Sequence, residues 1–111
     1  MPGSDFNVVR ELAESLPDVV HTVSSRGEGL KVRGKLMACQ AVHKSAEPNS
    51  LMARVSESER NRLIKSDPKI YYITQHYEPY PAVLVRLSCV GRRELKRLLK
   101  VSWQYSFEKS Q

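Results

Sequence analysis

The chain has 111 residues, 41% of them hydrophobic and 27% charged, and this composition is typical of a globular domain rather than a disordered segment. A chain of this length has room for one hydrophobic core, so we expect a single domain over residues 1–111. No apolar run is long enough to span a bilayer, so no membrane partner is expected. The net charge of +6 makes contact with DNA or another polyanion physically reasonable.

The first residues lack a basic segment followed by an apolar stretch, so no secretory leader is predicted and a cytoplasmic location is expected. Cys39 and Cys89 lie in apolar, strand-like sequence without a CxxC spacing, and we interpret them as buried free thiols. The three histidines and two cysteines are too scattered to predict a metal site. No phosphate-binding or dinucleotide-binding glycine motif is present, so no cofactor is predicted.

The first half of the chain predicts one helix followed by strands. Asp5 can cap a helix over residues 5–16 that Pro17 ends, because apolar residues recur there at helical spacing. Glycines then punctuate a strand-rich region. Residues 30–33 alternate apolar and basic side chains, as a half-buried strand does. Gly34-Lys35 fits a tight turn, and residues 36–42 form the next strand.

In the second half, residues 43–50 predict a loop and residues 51–55 a short strand. Ser56 and Glu59 form a capping box, which predicts a helix up to about Ser66, before Asp67-Pro68. Residues 70–74 and 82–88 are rich in strand-forming residues. A last helix is predicted from Arg92 to about residue 107, with Leu95, Leu98, Leu99, Ser102 and Trp103 on its apolar face.

This order of elements predicts the fold class. One helix, three or four strands, a helix, two strands and a helix, joined by short connections, favour antiparallel pairing over a βαβ winding. We therefore expect a two-layer α+β fold in which an antiparallel sheet carries the helices on one face.

Residues 74–87 combine His76, two tyrosines and two prolines in a rigid loop that leads into the clearest strand. This loop resembles the signature of the MmcQ/YjbR-like family of small bacterial proteins, with His76, Tyr77, Tyr80 and Pro81 as the motif residues. Three other segments are similar to the same family in the same order: residues 11–17, which end a first helix at Leu-Pro, residues 32–38 at a central hairpin, and residues 55–60 at a helix start.

The resemblance implies a two-layer α+β fold similar to that of type III secretion chaperones. It also implies DNA binding, by likeness to the double-wing DNA-binding domain of a phage transcription factor. Because one fold can host many functions, this implication is an analogy. The last helix is more basic here than in many family members, so the family assigns it no role.

Two sets of cations are candidate phosphate contacts. The first forms a stripe on the last helix with a net charge of +4, out of +6 for the chain, and consists of Arg92, Arg93, Lys96, Arg97 and Lys100. The second lies on predicted strands and consists of Lys31, Arg33, Arg54 and Arg86. With Tyr71 or Tyr72 beside it, the second set would form a platform for single-stranded nucleic acid. For each set the alternative is an ordinary solvated surface.

His76, Tyr77 and Tyr80 are also the best candidates for acid–base chemistry by residue type. No recognisable nucleophile or second acid accompanies them. We therefore interpret the loop as a structural staple, in which His76 hydrogen-bonds a loop carbonyl while Tyr77 and Tyr80 pack over the sheet edge.

The sequence leads to one main hypothesis and two rivals. The main one is a non-enzymatic binding module whose ligand is DNA, held through phosphate contacts. The second is a protein-interaction or chaperone-like module that uses the exposed sheet face. The third is an enzyme, which would need a concave pocket containing His76 and an ionisable partner within hydrogen-bonding reach.

Overall fold

The computed structural model describes residues 3–110, and within them the order of elements is the predicted one. The helices are α1 (Phe6–Ala13), α2 (Glu57–Ser66) and α3 (Arg92–Lys109). The strands are β1 (Val19–Ser24), β2 (Gly27–Val32), β3 (Lys35–Gln40), β4 (Ser50–Arg54), β5 (Tyr71–Tyr72) and β6 (Ala82–Arg86). A 3₁₀ turn, Leu87–Cys89, joins β6 to α3. Met1 and Pro2, which belong to the segment in which no secretory leader is predicted, lie outside the described residues.

The six strands form one antiparallel sheet in the order β1-β2-β3-β4-β6-β5. All three helices pack on the same side of it, because their buried side chains share one core with alternate residues of the strands. The predicted two-layer α+β fold is therefore confirmed. Within residues 3–110, no helix is both long and apolar enough to cross a membrane.

The predicted helix starts are formed by the expected side chains. The Asp5 carboxylate accepts a hydrogen bond from the amide of Val8 at 3.2 Å, and the Ser56 hydroxyl accepts one from the amide of Glu59 at 3.2 Å. Only half of the predicted capping box is present, because the Glu59 carboxylate binds the guanidinium of Arg62 instead. Each cap satisfies an amide that the first helical turn leaves without a partner.

The β2–β3 hairpin turns one residue earlier than predicted. Arg33 and Gly34 have φ angles of 52° and 84°, which are the left-handed values that a two-residue hairpin turn of type I′ requires. Gly34 adopts this conformation without strain because it has no Cβ. Lys35 is therefore the first residue of β3, and Arg33 lies outside β2.

The prediction of buried thiols is wrong for Cys89. Strand β6 ends at Arg86, so Cys89 falls on the 3₁₀ turn and its side chain is exposed. Cys39 lies on β3 and is half-buried. Burial raises the pKa of its thiol, and the positive charge of Arg54 partly offsets this effect. Both cysteines are free, as predicted.

A β-bulge ties the sheet to α3. The pairing of β2 with β3 shifts between Leu30 and Lys31, which leaves Met37 as the extra residue of β3. Ser102, which is fully buried on α3, donates its hydroxyl to the Met37 carbonyl at 2.6 Å. A bulged carbonyl loses its ladder partner, and Ser102 supplies the replacement at the centre of the core.

A second polar contact joins β5 to α3. Tyr71 is 1% exposed, and its hydroxyl donates to the Glu94 carboxylate at 2.6 Å. Burial, followed by this hydrogen bond to a negative charge, raises the pKa of Tyr71 far above its usual range. The same hydrogen bond is the main cause of the lowered pKa of Glu94, and Arg97 adds to it. The Tyr71 ring therefore belongs to the helix layer.

We predict that Ser102→Ala lowers the free energy of unfolding by about 1–3 kcal/mol, because it leaves the buried Met37 carbonyl without a donor. Urea unfolding monitored by circular dichroism measures this change. The control is Ser66→Ala, which removes an i to i−3 hydrogen bond at the exposed end of α2 and should cost less than about 0.5 kcal/mol. Equal losses in both variants would contradict the role of Ser102.

We predict that Tyr71→Phe lowers stability at neutral pH by about 1–2 kcal/mol and flattens its pH dependence. The Glu94 contribution is complete above the unfolded Glu pKa of about 4.3 and is lost as pH falls through the lower folded value. The Tyr71 contribution is complete below the unfolded Tyr pKa of about 10 and is lost above it. Urea unfolding at acidic, neutral and alkaline pH tests both trends. Tyr105→Phe on α3 is the control and should keep the wild-type profile.

Candidate nucleic-acid interface

The sheet face opposite the helices is only partly covered. Over β4, β5 and β6, the loops 41–49 and 73–81 shield a small apolar cluster built on Met52, Ala82 and Leu84. Tyr77 packs against this cluster from the second of these loops, the motif loop of residues 73–81. Over β1, β2 and β3 no loop of residues 3–110 covers the face, and the boundary between the covered and open halves forms a groove.

The groove has a volume of about 820 Å³ and runs between β1 and the motif loop. Its floor consists of Gly29, Leu36, Cys39 and Met52. A Cβ on Gly29 would lie 3.2 Å from the Thr22 hydroxyl and 3.4 Å from the Cys39 Cβ, so a larger residue would crowd the floor. A cavity of this size falls in the range that binds small ligands or short chain segments.

Cations outnumber carboxylates along the groove. Arg26, Lys31 and Arg54 line it, whereas the Glu28 carboxylate is the one acidic group among the lining residues. The Glu28 carboxylate already has a hydrogen-bond partner, because its Oε1 lies 2.8 Å from Nε2 of His21. A concave surface with charges of one sign focuses the electrostatic field and attracts anions.

Aromatic rings form the wall opposite β1. The imidazoles of His43 and His76 stack in parallel, with ring centroids 3.5 Å apart and planes inclined by 5°. Tyr77 meets His76 edge-on at 4.8 Å, and Tyr80 is 54% exposed beside them. Loss of hydration lowers the pKa of His43, and the positive charges of His76 and Lys44 lower it further.

The predicted packing of Tyr77 over the sheet is present, but the prediction that a hydrogen bond of His76 holds the motif loop is wrong. Among residues 3–110, the His76 ring forms no hydrogen bond, since it stacks on His43. Arg60 of α2 holds the loop instead: it is 5% exposed, and its Nη1 donates to the carbonyls of Glu78 and Tyr80, both at 3.1 Å. A buried guanidinium needs such acceptors, and the loop supplies them.

Pro81 completes this anchorage at the start of β6. Its carbonyl accepts the amide of Val55 at 3.1 Å and Nε of Arg54 at 3.3 Å. Arg54 therefore both lines the groove and braces its wall. The Tyr77 hydroxyl accepts the backbone amide of His43 at 3.3 Å, which links loop 41–49 to the motif loop.

The prediction that four strand cations lie on the open sheet face is wrong for two of them, Arg33 and Arg86. Arg33 lies in the hairpin turn, and its guanidinium stands 5.1 Å from the Phe107 ring centroid and 3.8 Å from Asp18, on the helix side. Arg86 binds Glu47 through two hydrogen bonds of 2.9 and 2.8 Å, and it also donates to the carbonyls of Pro68 and Lys69. Lys31 and Arg54 do line the open face.

The prediction that Tyr71 or Tyr72 forms an exposed platform beside the strand cations is also wrong. Tyr71 is buried under α3, and the Arg86 guanidinium covers the Tyr72 ring at 4.2 Å. The Tyr72 hydroxyl bonds Ser50 at 2.6 Å. The accessible ring on the open face is that of Tyr80, with Tyr77 and the two imidazoles beside it.

The helix cations lie on the other layer of the molecule. Arg92 pairs with Glu11 of α1 at 3.0 Å, and Arg97 pairs with Glu94 within α3. The remaining members of the stripe, Arg93, Lys96 and Lys100, are exposed and have no ion-pair partner among residues 3–110. A single strand of nucleic acid could contact both sets only by wrapping around the domain.

Sequence reasoning missed Arg26, His43 and Arg60. Arg26 sits in the β1–β2 turn, and His43 sits in a loop whose path the sequence does not indicate. Arg60 falls on the inner face of α2, and a cation on the buried side of an amphipathic helix was the signal that could have revealed it.

The fold and the groove define a two-layer α+β protein with a partly open sheet face. The structure is similar to the crystal structure of Deinococcus radiodurans protein DR2400, a DUF419 domain, with a TM-score of 0.79. The likeness covers 100% of this chain and 84% of that one at 19% sequence identity, and at this identity it shows the fold alone.

In sequence, 51 residues are 43% identical to the uncharacterized proteins Mb2600 of Mycobacterium bovis and Rv2570 of Mycobacterium tuberculosis. The match covers 45% of this chain and 40% of each relative, so it spans less than half the length of these curated proteins. No family model matches the chain.

We predict that Arg60→Lys loosens the motif loop and destabilises the fold by about 1–3 kcal/mol. Both carbonyls are bonded by Nη1, which lies farther from the backbone than a lysine ammonium reaches. Urea unfolding gives the energy, and hydrogen exchange of the amides of residues 77–80 reports the loop. Arg62→Lys is the matched control on the exposed side of α2 and should cost less than about 0.5 kcal/mol. Unchanged exchange in the Arg60 variant would contradict its role.

Proposed function

We propose that this chain is a non-enzymatic binding module that holds single-stranded DNA in the groove on the open face of its sheet. One observation carries the proposal: the groove brings cations, an exposed tyrosine and a wall of rings onto one concave surface. Proteins that bind single strands combine these elements, because cations follow the phosphates and rings stack on the bases.

Each part of the groove has a role in this proposal. Lys31, exposed on the floor side of β2, and Arg26, exposed in the β1–β2 turn, contact phosphates. The exposed Tyr80 ring stacks on a base, and the stacked pair of His43 and His76 extends that platform. Arg54 contributes charge while it keeps the Pro81 carbonyl in place. Such contacts give little sequence preference, since phosphates and ring faces are shared by all nucleotides.

The groove is a better candidate than the α3 stripe for two reasons. Arg92 and Arg97 are partly neutralised by their carboxylate partners. The remaining cations of the stripe lie on a convex helix surface, where the field is not focused as it is in a cleft. The α3 cations therefore serve in this proposal as a solvated face that adds weak, long-range attraction.

Membership of the MmcQ/YjbR-like family is part of this proposal, and the motif residues His76, Tyr77, Tyr80 and Pro81 support it because they form or anchor the groove wall. The double-wing analogy is the reason that DNA is the chosen ligand. A cytoplasmic location is proposed as well, and the two free thiols agree with a reducing compartment.

The apolar part of the groove favours a second candidate, the protein-interaction module. Leu36, Cys39 and Met52 form much of the floor, and the rim residue Val42 is 59% exposed. An extended peptide with apolar side chains would bury this surface. Such a peptide would bind with little dependence on salt, whereas binding of DNA through phosphates weakens steeply as salt rises.

We predict that the chain binds a fluorescein-labelled oligothymidine with a salt-dependent affinity measured by fluorescence anisotropy. Lys31→Ala combined with Tyr80→Ala should weaken binding by about tenfold or more, because the pair removes one phosphate contact and one stacking ring. The slope of log affinity against log salt should also fall by about one unit, for the lost cation.

The matched control is Lys96→Ala combined with Lys100→Ala on α3, which also removes positive charge but leaves the groove intact. It should change affinity by less than about threefold. If the α3 variant lost binding and the groove variant kept it, the groove would not be the site. Absence of saturable, salt-sensitive binding at micromolar protein would refute the function itself and leave the peptide candidate to be tested.

A further inference from the structure

We propose that two copies of this chain associate through strand β1, which would form one continuous antiparallel sheet. Strand β1 is an edge strand: it pairs with β2 on one side, and no strand among residues 3–110 pairs with its outer side. Its six residues present a row of backbone amides and carbonyls that a second strand can bond. This inference does not depend on the proposed DNA binding.

Strand β1 lacks the features that protect edges from pairing. Natural edge strands carry lysines or prolines, are very short, or contain a bulge. The sequence of β1, Val-Val-His-Thr-Val-Ser, contains no lysine, proline or acidic residue, and its pairing with β2 is regular over all six positions. Four of these residues are β-branched, which favours pairing. Val20 and Val23 are 60% and 73% exposed, so apolar surface remains to be buried.

The opposite edge of the sheet is protected. Strand β5 has two residues and follows Pro68, and the Arg86 guanidinium donates to the carbonyls of Pro68 and Lys69 at 3.0 and 3.4 Å. One open edge and one capped edge allow a closed dimer but not a growing fibre. This contrast, together with the uncharged side chains of β1, points to a second copy as the occupant rather than an acidic peptide.

The side-chain pattern selects a register. If the two-fold axis passes beside His21, Val23 of one copy lies opposite Val19 of the other, and Val20 lies opposite Thr22. Facing residues then point to the same side of the sheet, as an antiparallel pair requires. Both exposed valines gain a neighbour in this register. A shift by two residues in one direction would place Val20 opposite Ser24 and Val23 opposite His21, which buries less apolar surface. The same shift in the other direction would leave Val23 without a partner in β1.

The dimer would place two grooves on the same face of the extended sheet, because a two-fold axis perpendicular to the sheet preserves its faces. Thr22 and Ser24, which line the groove on the β1 side, would then lie beside the interface. Lys31 of β2 is the direct pairing partner of Val20 of β1, so the two positive surfaces would be neighbours.

Size-exclusion chromatography with light scattering tests the proposal on the 111-residue chain over a range of micromolar concentrations. We expect the mass of two chains. Val23→Lys should raise the dissociation constant of the dimer by about tenfold or more, because it places a charge in the pairing edge. The control is Val42→Lys, a similarly exposed valine on the loop after β3, which should leave the dissociation constant within about twofold. Circular dichroism verifies that both variants fold.

A cross-linking experiment tests the register independently of the lysine variants. In a background with Cys39→Ser and Cys89→Ser, protein carrying Val20→Cys is mixed with protein carrying Thr22→Cys under mild oxidation. Directly opposed residues are close enough for a disulfide, so the mixture should yield mainly the mixed covalent dimer and each protein alone much less. A monomer at every concentration would overturn the proposal, and so would a dimer that neither Val23→Lys weakens nor this pair cross-links.

Discussion

The buried guanidinium of Arg60 is the contact on which the shape of the open face depends. It links α2, in the helix layer, to the carbonyls of Glu78 and Tyr80 on the opposite side of the sheet edge. A charge removed from water must find acceptors, and here the backbone of the motif loop provides them. The loop is thereby held over β4, β5 and β6, where its edge forms one wall of the groove. The groove, its ring-lined side and the exposure of Tyr80 all follow from that position.

The two faces of the sheet have opposite characters. On the helix side, the few polar groups that enter the core are each paired, as Ser102 is with the Met37 carbonyl and Tyr71 with Glu94. No buried side-chain nitrogen or oxygen of residues 3–110 is left without a partner. On the open side, Lys31 and the rings of the motif loop face solvent across a concave surface. The packed layer fixes the sheet, and the exposed layer presents charge and rings to solvent.

The net charge of the chain does not show which of its cations are exposed, because packing pairs several of them with carboxylates or carbonyls. The Arg60 guanidinium is hydrogen-bonded to carbonyls of the motif loop. The Arg86 guanidinium is hydrogen-bonded to the Glu47 carboxylate and to two backbone carbonyls. Arg92 and Arg97 are paired with carboxylates. The exposed cations of the two predicted sets therefore lie at two separate places, the groove and the outer face of α3. This separation is the reason that the two predicted cation sets cannot act as one site.

Local sequence patterns were enough to predict those features that depend on neighbours along the chain. The starts of α1 and α2 follow from Asp5 and Ser56, and the end of α2 follows from Asp67-Pro68, because caps and prolines act within one helical turn. The order of elements and the two-layer fold follow from apolar periodicity in the same way. Tertiary structure decided the rest. Arg33 turned toward the helices because a two-residue turn begins one position earlier than its glycine suggested, and Arg60 became the staple because its acceptors lie 18 and 20 residues away in the chain. His43 stacks on His76 because loops 41–49 and 73–81 both pack over the sheet. Such contacts depend on packing between segments that are distant in the chain, and local sequence patterns do not encode that packing.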